Sequence, residues 1–124
     1  MIIKTKSKEE IIDITSKVNS LIKVEKGICN IFVKHTTASL IINENYDPNI
    51  CKDFLKLLDE IIPQGKWLHD KIDGNGAAHL KSSILGCSVN IPIVESKLFL
   101  GKWQALMLVE LDGPRERVVV VTIK

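Results

Sequence analysis

Apolar and polar residues alternate with a period of two along most of this chain, and three stretches carry a helical period instead. Ile2-Ile3, followed by alternating Lys and Thr or Ser, predicts a short edge strand. Between Lys8 and Ile22 the apolar positions Ile11, Ile14, Val18, Leu21 and Ile22 predict a helix within that span, and Thr15 or Asp13 can cap a shorter one. After the turn Glu25-Lys26-Gly27, a strand runs from Ile28 towards His35 with Cys29, Ile31, Val33 and His35 on one face. His35 thus ends an apolar row and should point inward or into a pocket mouth. Thr36-Thr37-Ala38 breaks the strand, and Ser39 to Asn43 resumes it.

Asp47-Pro48 is a helix start, an acidic cap followed by proline where its missing N–H costs nothing. Ile50, Phe54, Leu57, Leu58 and Ile61 form one stripe, and Pro63 ends the helix. At ~1.5–3 kcal/mol for each large side chain fully buried, this stripe predicts a firmly docked helix. Gln64 to Gly76 reads as a polar loop. Ala77 to Leu85 is a short helix closed by Gly86, with Leu80 and Ile84 on its expected buried side. The last third is β: Ser88 to Ile93, a turn at Glu95-Ser96-Lys97, and a return beginning at Leu98. Gly101 suggests a bulge or close backbone approach. Strands from Trp103 to Leu111 and from Arg117 to Ile123 flank a turn at Asp112-Gly113-Pro114-Arg115. Both strands are apolar on two faces, which points to a subunit interface.

A chain of 124 residues, 45% hydrophobic and 26% charged, fits one globular domain over 1–124, with no repeat or linker. The net charge of +2 is carried by scattered lysines and only two arginines, so nucleic-acid binding is not expected. No apolar run approaches the ~18 residues of a membrane span. Three cysteines without a CxxC pair point to a reducing compartment, so the expectation is a cytoplasmic protein without a membrane partner.

Chemistry concentrates in a few places. The only histidines are His35, His69 and His79, each in a polar setting. Together, with an acid such as Asp73 or Glu44, they could hold a divalent metal, zinc among them. No local ligand spacing is met, and on residues alone three separately hydrogen-bonded histidines are the commoner outcome. Gly74-Asn75-Gly76 opens a helix whose free N–H groups favour an anion, phosphate above all, although a plain capped turn explains the glycines equally well. Glu110 shares a strand face with Leu106 and Leu108 and wants a cation or a hydrogen-bonding partner, unless it sits at an exposed strand end. Trp103 and Gln104 can stack on and hydrogen-bond a planar ring, or pack in the core. Arg115 and Arg117 can clamp phosphate or be solvated turn charges. Cys51 and Cys87 show no activating neighbour.

The runs His35-Thr36-Thr37-Ala38-Ser39-Leu40, Asn43-Glu44-Asn45, Ala78-His79-Leu80-Lys81, Leu100-Gly101-Lys102-Trp103-Gln104 and Asp112-Gly113-Pro114-Arg115, together with His69, resemble the YjbQ-like family, the secondary thiamine-phosphate synthase family. The resemblance spans nearly the whole chain. It implies an α+β subunit whose antiparallel sheet folds into a sandwich with two to three helices, assembled as a homotrimer. It also implies that His35, His69 and His79 meet in one site. The activity it implies joins a pyrimidine diphosphate to a thiazole phosphate and releases pyrophosphate. On that reading the histidines bind metal, and Glu44, Asp73 and Glu110 are catalytic candidates. Asn43, Gly74, Asn75, Gly76, Trp103, Gln104 and Arg115 would bind a small phosphorylated metabolite. The alternative is a non-catalytic homotrimer that binds a small anionic metabolite or metal. Lys102 and Cys87 depart from the family pattern, and neither is expected to touch the histidines.

Overall fold

The computed structural model describes residues 1–124. In chain order the elements are β1 (Ile2–Lys4), β2 (Glu10–Asp13), α1 (Thr15–Asn19), β3 (Gly27–Val33), β4 (Ala38–Asn43), α2 (Pro48–Ile61), a 3-10 turn (Leu68–Lys71), α3 (Gly76–Leu85), β5 (Ser88–Val94), β6 (Lys97–Leu98), β7 (Ala105–Glu110) and β8 (Glu116–Ile123). One antiparallel sheet has the order β1-β8-β3-β5-β6, and the other has the order β2-β7-β4. Alternation within the strands packs them face to face. Cys29, Ile31 and Val33 of β3 and Val119 of β8 meet Leu40 of β4 and Leu106 and Leu108 of β7 in one core. The outer face of the three-stranded sheet is covered by helices, through Leu58, Ala78, Val109 and Leu111. The architecture is the expected α+β sandwich with three helices.

The helix anticipated between Lys8 and Ile22 is a strand followed by one short helix. Glu10 to Asp13 pair with β7 (Ile11 opposite Val109, Ile12 opposite Leu108), and α1 begins only at Thr15. The paired ladder satisfies the backbone at the edge of the small sheet, so tertiary pairing overrides a weak helical period. The break at Thr36-Thr37 is a crossing between sheets, because β3 and β4 belong to different ones. The Asp112–Arg115 turn is also a crossing: β7 and β8 do not pair. Trp103 and Gln104 precede β7, in a turn where Gln104 N–H donates to Gly101 O (3.0 Å), so Gly101 is a turn residue rather than a bulge.

Three burial expectations are corrected. In α2 only Leu58 is buried, while Leu57 and Ile61 are 50% and 59% exposed, so the helix rests lightly on the sheet. In α3 the buried side is Gly76, Ala77, Ala78, Lys81 and Ser82, and Leu80 and Ile84 are exposed. Small residues bring α3 close to β4, and the Lys81 ammonium is neutralised by Glu9 (3.1 Å) and Asp59. All six residues of β7 are buried within this one chain, with the large sheet on one side and the helices on the other. Its double-faced apolarity therefore needs no second subunit.

Candidate functional site

The two crossings between sheets lie side by side at the start of β4, and a buried polar network locks them together. Glu110 and Arg117, both fully buried or nearly so, face each other in the gap between the sheets. Arg117 donates to the Glu110 carboxylate through Nε and Nη2, and Nη2 also donates to Thr37 O (3.0 Å) and Thr37 Oγ1 (2.9 Å). Glu110 also accepts from Thr5 Oγ1 (2.6 Å) and from the backbone N–H groups of Leu111 (3.0 Å) and Asp112 (3.3 Å). Every lone-pair direction of this carboxylate is used, so Glu110 holds the crossing together and has no free oxygen for a substrate. Arg117 is correspondingly no solvated turn charge. A side chain at Gly113 would meet Ser7 O at 2.3 Å and Glu110 at 2.8 Å, and this close approach requires glycine.

His35 is fixed from the same side. The Val118 backbone N–H donates to His35 Nε2 at 2.8 Å. An imidazole that accepts at Nε2 must, when neutral, carry its proton on Nδ1, so His35 is an Nδ1–H donor. No protein group accepts that proton. Burial, with Arg117 and other positive charge outweighing Glu110, pushes the His35 pKa below the usual imidazole value, which keeps the ring neutral. The ring lines a cavity of about 310 Å³ together with Thr36, His79, Ser82, Ser83, Gly86 and Cys87. The walls contain no carboxylate. Ser82 Oγ already donates to Ala38 O (2.8 Å), and Gly86 and Cys87 bond β4 and β3 through their backbones.

His79 is the shared wall between this cavity and a second one of about 430 Å³, lined by Trp67, Leu68, His69, Gly76 and Leu80. The His69 and His79 rings meet edge to face with centroids 4.7 Å apart, and His69 Nε2 lies 3.8 Å from Asp73 Oδ2. The three histidines are thus neighbours. They do not form a ligand set: no group of three His, Cys, Asp or Glu side chains is placed to hold a metal, and His35 presents a donor hydrogen where a metal needs a lone pair. Within one chain these residues do not fit a resident metal ion.

The expected anion site at Gly74–Gly76 is filled by the protein itself. Asp70 accepts from Gly76 N–H (2.8 Å) and Trp67 N–H (3.0 Å), and these bonds hold its carboxyl below the usual carboxylate range, with burial opposing them. A side chain at Gly76 would strike Asp70 and Trp67, each at 2.8 Å. Asn75 donates to Asp112 Oδ2 (2.8 Å), which also accepts from Arg115 (3.1 Å). These residues brace the α3 start against the second crossing.

The remaining predicted residues lie at the opposite end of β4. Asn43 and Glu44 line an apolar groove of about 160 Å³ under α2, with Ile41, Cys51, Phe54 and Met107. Trp103 is half-exposed and packs edge to face on Tyr46 (5.3 Å), and Gln104 accepts from Gly101 N–H (2.8 Å). The tryptophan that stands beside the histidines is Trp67. Ser83, Cys87 and Trp67 escaped the sequence reading, and Cys87, set aside there as remote from the histidines, shares their cavity. The signal was present: His79, Ser82, Ser83 and Gly86 are spaced i, i+3, i+4 and i+7, one helix face.

The family described as "UPF0047 protein YjbQ-like" matches residues 1–124. A UPF0047 protein of Methanocaldococcus jannaschii is 45% identical, covering 98% of this chain and 89% of its own length. The UPF0047 protein YugU of Bacillus subtilis is 42% identical, covering 93% and 89%. A crystal structure of a YjbQ/UPF0047-family protein from Clostridium acetobutylicum superposes with a TM-score of 0.94 at 41% identity, covering 100% of this chain and 98% of that one. A YbjQ-like protein of Sulfolobus solfataricus, described as of unknown function, gives 0.93 at 39%, covering 99% and 92%. None of these four names carries an activity. No helix of the chain is long and apolar enough to cross a membrane. With the whole chain matched in sequence and in fold, this protein belongs to the UPF0047, YjbQ-like family.

Proposed function

We propose that the chain takes a small phosphorylated metabolite into the cavity between His35 and His79, and that these imidazoles donate hydrogen bonds to the phosphate oxygens. One observation carries this reading: Val118 N–H fixes His35 as an Nδ1–H donor with no protein acceptor, in a cavity whose walls hold hydroxyls and imidazoles but no acid. Such a wall suits an anion and repels no part of it. In a thiamine-phosphate-synthase-like reaction, with loss of pyrophosphate, these donors would stabilise the charge developing on the leaving group. Trp67 and Leu80, across His79, offer an apolar wall for the ring of the metabolite.

A non-catalytic homotrimer that binds the same anion is the second reading, supported by the exposed apolar side chains of α2. Calorimetry with inorganic phosphate, pyrophosphate and a panel of phosphorylated ring metabolites tests binding. The expected result is saturable binding that weakens at least tenfold in His79→Ala and measurably in Thr36→Val, whose hydroxyl is free where that of Ser83 is bonded to His79 O (2.9 Å). Unchanged binding in both variants would refute the site. Turnover of any bound metabolite separates enzyme from binding protein. Stoichiometric metal in the purified protein that is lost in His35→Ala would overturn the hydrogen-bond-donor role.

A further inference from the structure

α2 and the small sheet do not close on each other along the whole helix. Around Leu58 the helix meets Ala78, Val109 and Leu111 in a small core. Towards its start, helix and sheet leave a slot of about 160 Å³, with Ile50, Phe54 and Leu57 on one wall and Ile11, Ile41 and Met107 on the other. The helical wall is spaced i, i+4 and i+7, a single helix face, so the slot runs along α2. Ile50 and Leu57 stay 36% and 50% exposed. An enclosed apolar cavity of about 150 Å³ takes up one benzene ring, so this slot has room for one ring or a short branched chain.

Its charged lining residues are Glu44 and Asp53, and neither carboxylate forms an ion pair within the chain. Cys51, also in the lining, reports the local field: burial first, then the negative charges of Asp13 and Glu44, push its thiol up, and no cation opposes them. Lysines are near in sequence without entering the slot. At about 100° per residue Lys52 and Lys56 fall on the far side of α2 from Ile50, Phe54 and Leu57. Lys102 lies over the Trp103 ring, 5.2 Å from its centre.

We propose that the slot is a second ligand site, for a small ammonium compound with an aromatic or branched alkyl body: the body lies between α2 and the small sheet, and the ammonium faces Glu44 and Asp53. The body gains by leaving water, and the two unpaired carboxylates select an ammonium over a carboxylate of the same shape. The site stands apart from the histidine cavity, at the other end of β4, about 17 Å along the strand. It does not depend on the phosphate reading of that cavity. A bound molecule supplies the packing that the first turns of α2 lack, so it should also slow hydrogen exchange there.

Methyl spectra of isoleucine- and methionine-labelled protein provide the test, with phenethylamine as the probe, a primary amine that is protonated at neutral pH. The signals of Ile11, Ile41, Ile50 and Met107 should move saturably as it is added, while that of Ile28, on the other sheet, stays still. Phenylacetate and benzyl alcohol, which keep the ring and change the head group, should each bind about tenfold more weakly or worse. Glu44→Gln combined with Asp53→Asn should weaken phenethylamine by a similar factor and leave benzyl alcohol unchanged. No saturable shift, or phenylacetate binding as tightly as phenethylamine to the unmodified protein, would overturn the proposal without any variant. Equal affinity in the double variant would overturn the role of the carboxylates. Slot signals that move on dilution alone would give the slot to a second copy of the chain and overturn it as well.

Discussion

The two ends of β4 solve opposite problems. At the start, two chain crossings between sheets are locked by a buried arginine, a buried carboxylate and two threonines, and His35 is aimed by a backbone N–H. At the end, the first turns of α2 lie over a groove bordered by acids with much of the helix's apolar stripe in solvent, and the helix is anchored only further along, where Leu58 meets Val109 and Leu111. The difference teaches where rigidity was built. A donor that must meet an anion in one orientation is held by bonds that cost several kcal/mol to break, whereas a surface that awaits a partner is left apolar and lightly packed.

The largest effect expected is at the locked end. Glu110→Ala leaves the Arg117 guanidinium buried and unpaired and should destabilise the fold by about 3–5 kcal/mol in urea unfolding. Glu110→Leu combined with Arg117→Met should recover only part of that loss, because Thr5, Thr37 and the Leu111 and Asp112 N–H groups lose their partners; full recovery would reduce the network to an ion pair. Along α2, neighbours in sequence should part company. Leu58→Ala should cost about 2–4 kcal/mol, the price of a core cavity. Leu57→Ala should cost under about 0.5 kcal/mol in the isolated chain and should instead weaken any self-association in dilution experiments. Asp47→Ala removes the bond to Asn49 N–H (2.9 Å) and should cost about 1 kcal/mol, seen as fraying at the α2 start in hydrogen exchange.

The smallest effect is a slope. The folded-state pKa of His35 lies below its unfolded value, so the unfolded chain binds the extra proton first. Stability from this group is complete above the unfolded imidazole pKa of about 6.5 and is lost as pH falls through the lowered folded value. The urea midpoint should therefore decline over that window in the unmodified protein, and decline less in His35→Gln. An equal decline in both would assign the slope elsewhere.

Much of this was legible in the chain, and the gaps have physical causes. The alternation of Cys29, Ile31 and Val33 announced a half-buried strand, and Asp47-Pro48 announced a helix, because both are local signals. Ile11 and Ile14 misled, since four residues cannot distinguish a strand edge from a helical turn, and pairing of Glu10–Asp13 with β7 decided the matter. The α2 stripe was read correctly as apolar and wrongly as buried, because periodicity reports amphipathicity and says nothing of what covers a face. Glu110 announced its need for a partner but not Arg117, which lies across a crossing between sheets that the sequence shows only as a turn. The histidines stood out as a group, yet their spacing could not reveal that a backbone N–H already occupies His35 Nε2.

That occupied nitrogen is also the most direct point of attack. Nitrogen-15 spectra of histidine-labelled protein near neutral pH report the tautomer of each ring, and inorganic phosphate can be titrated into the same sample. The account predicts His35 as a neutral Nδ1–H imidazole whose Nδ1 signal, with those of His79, moves saturably as phosphate is added. A His35 protonated at Nε2, or His35 and His79 signals indifferent to phosphate, would contradict it.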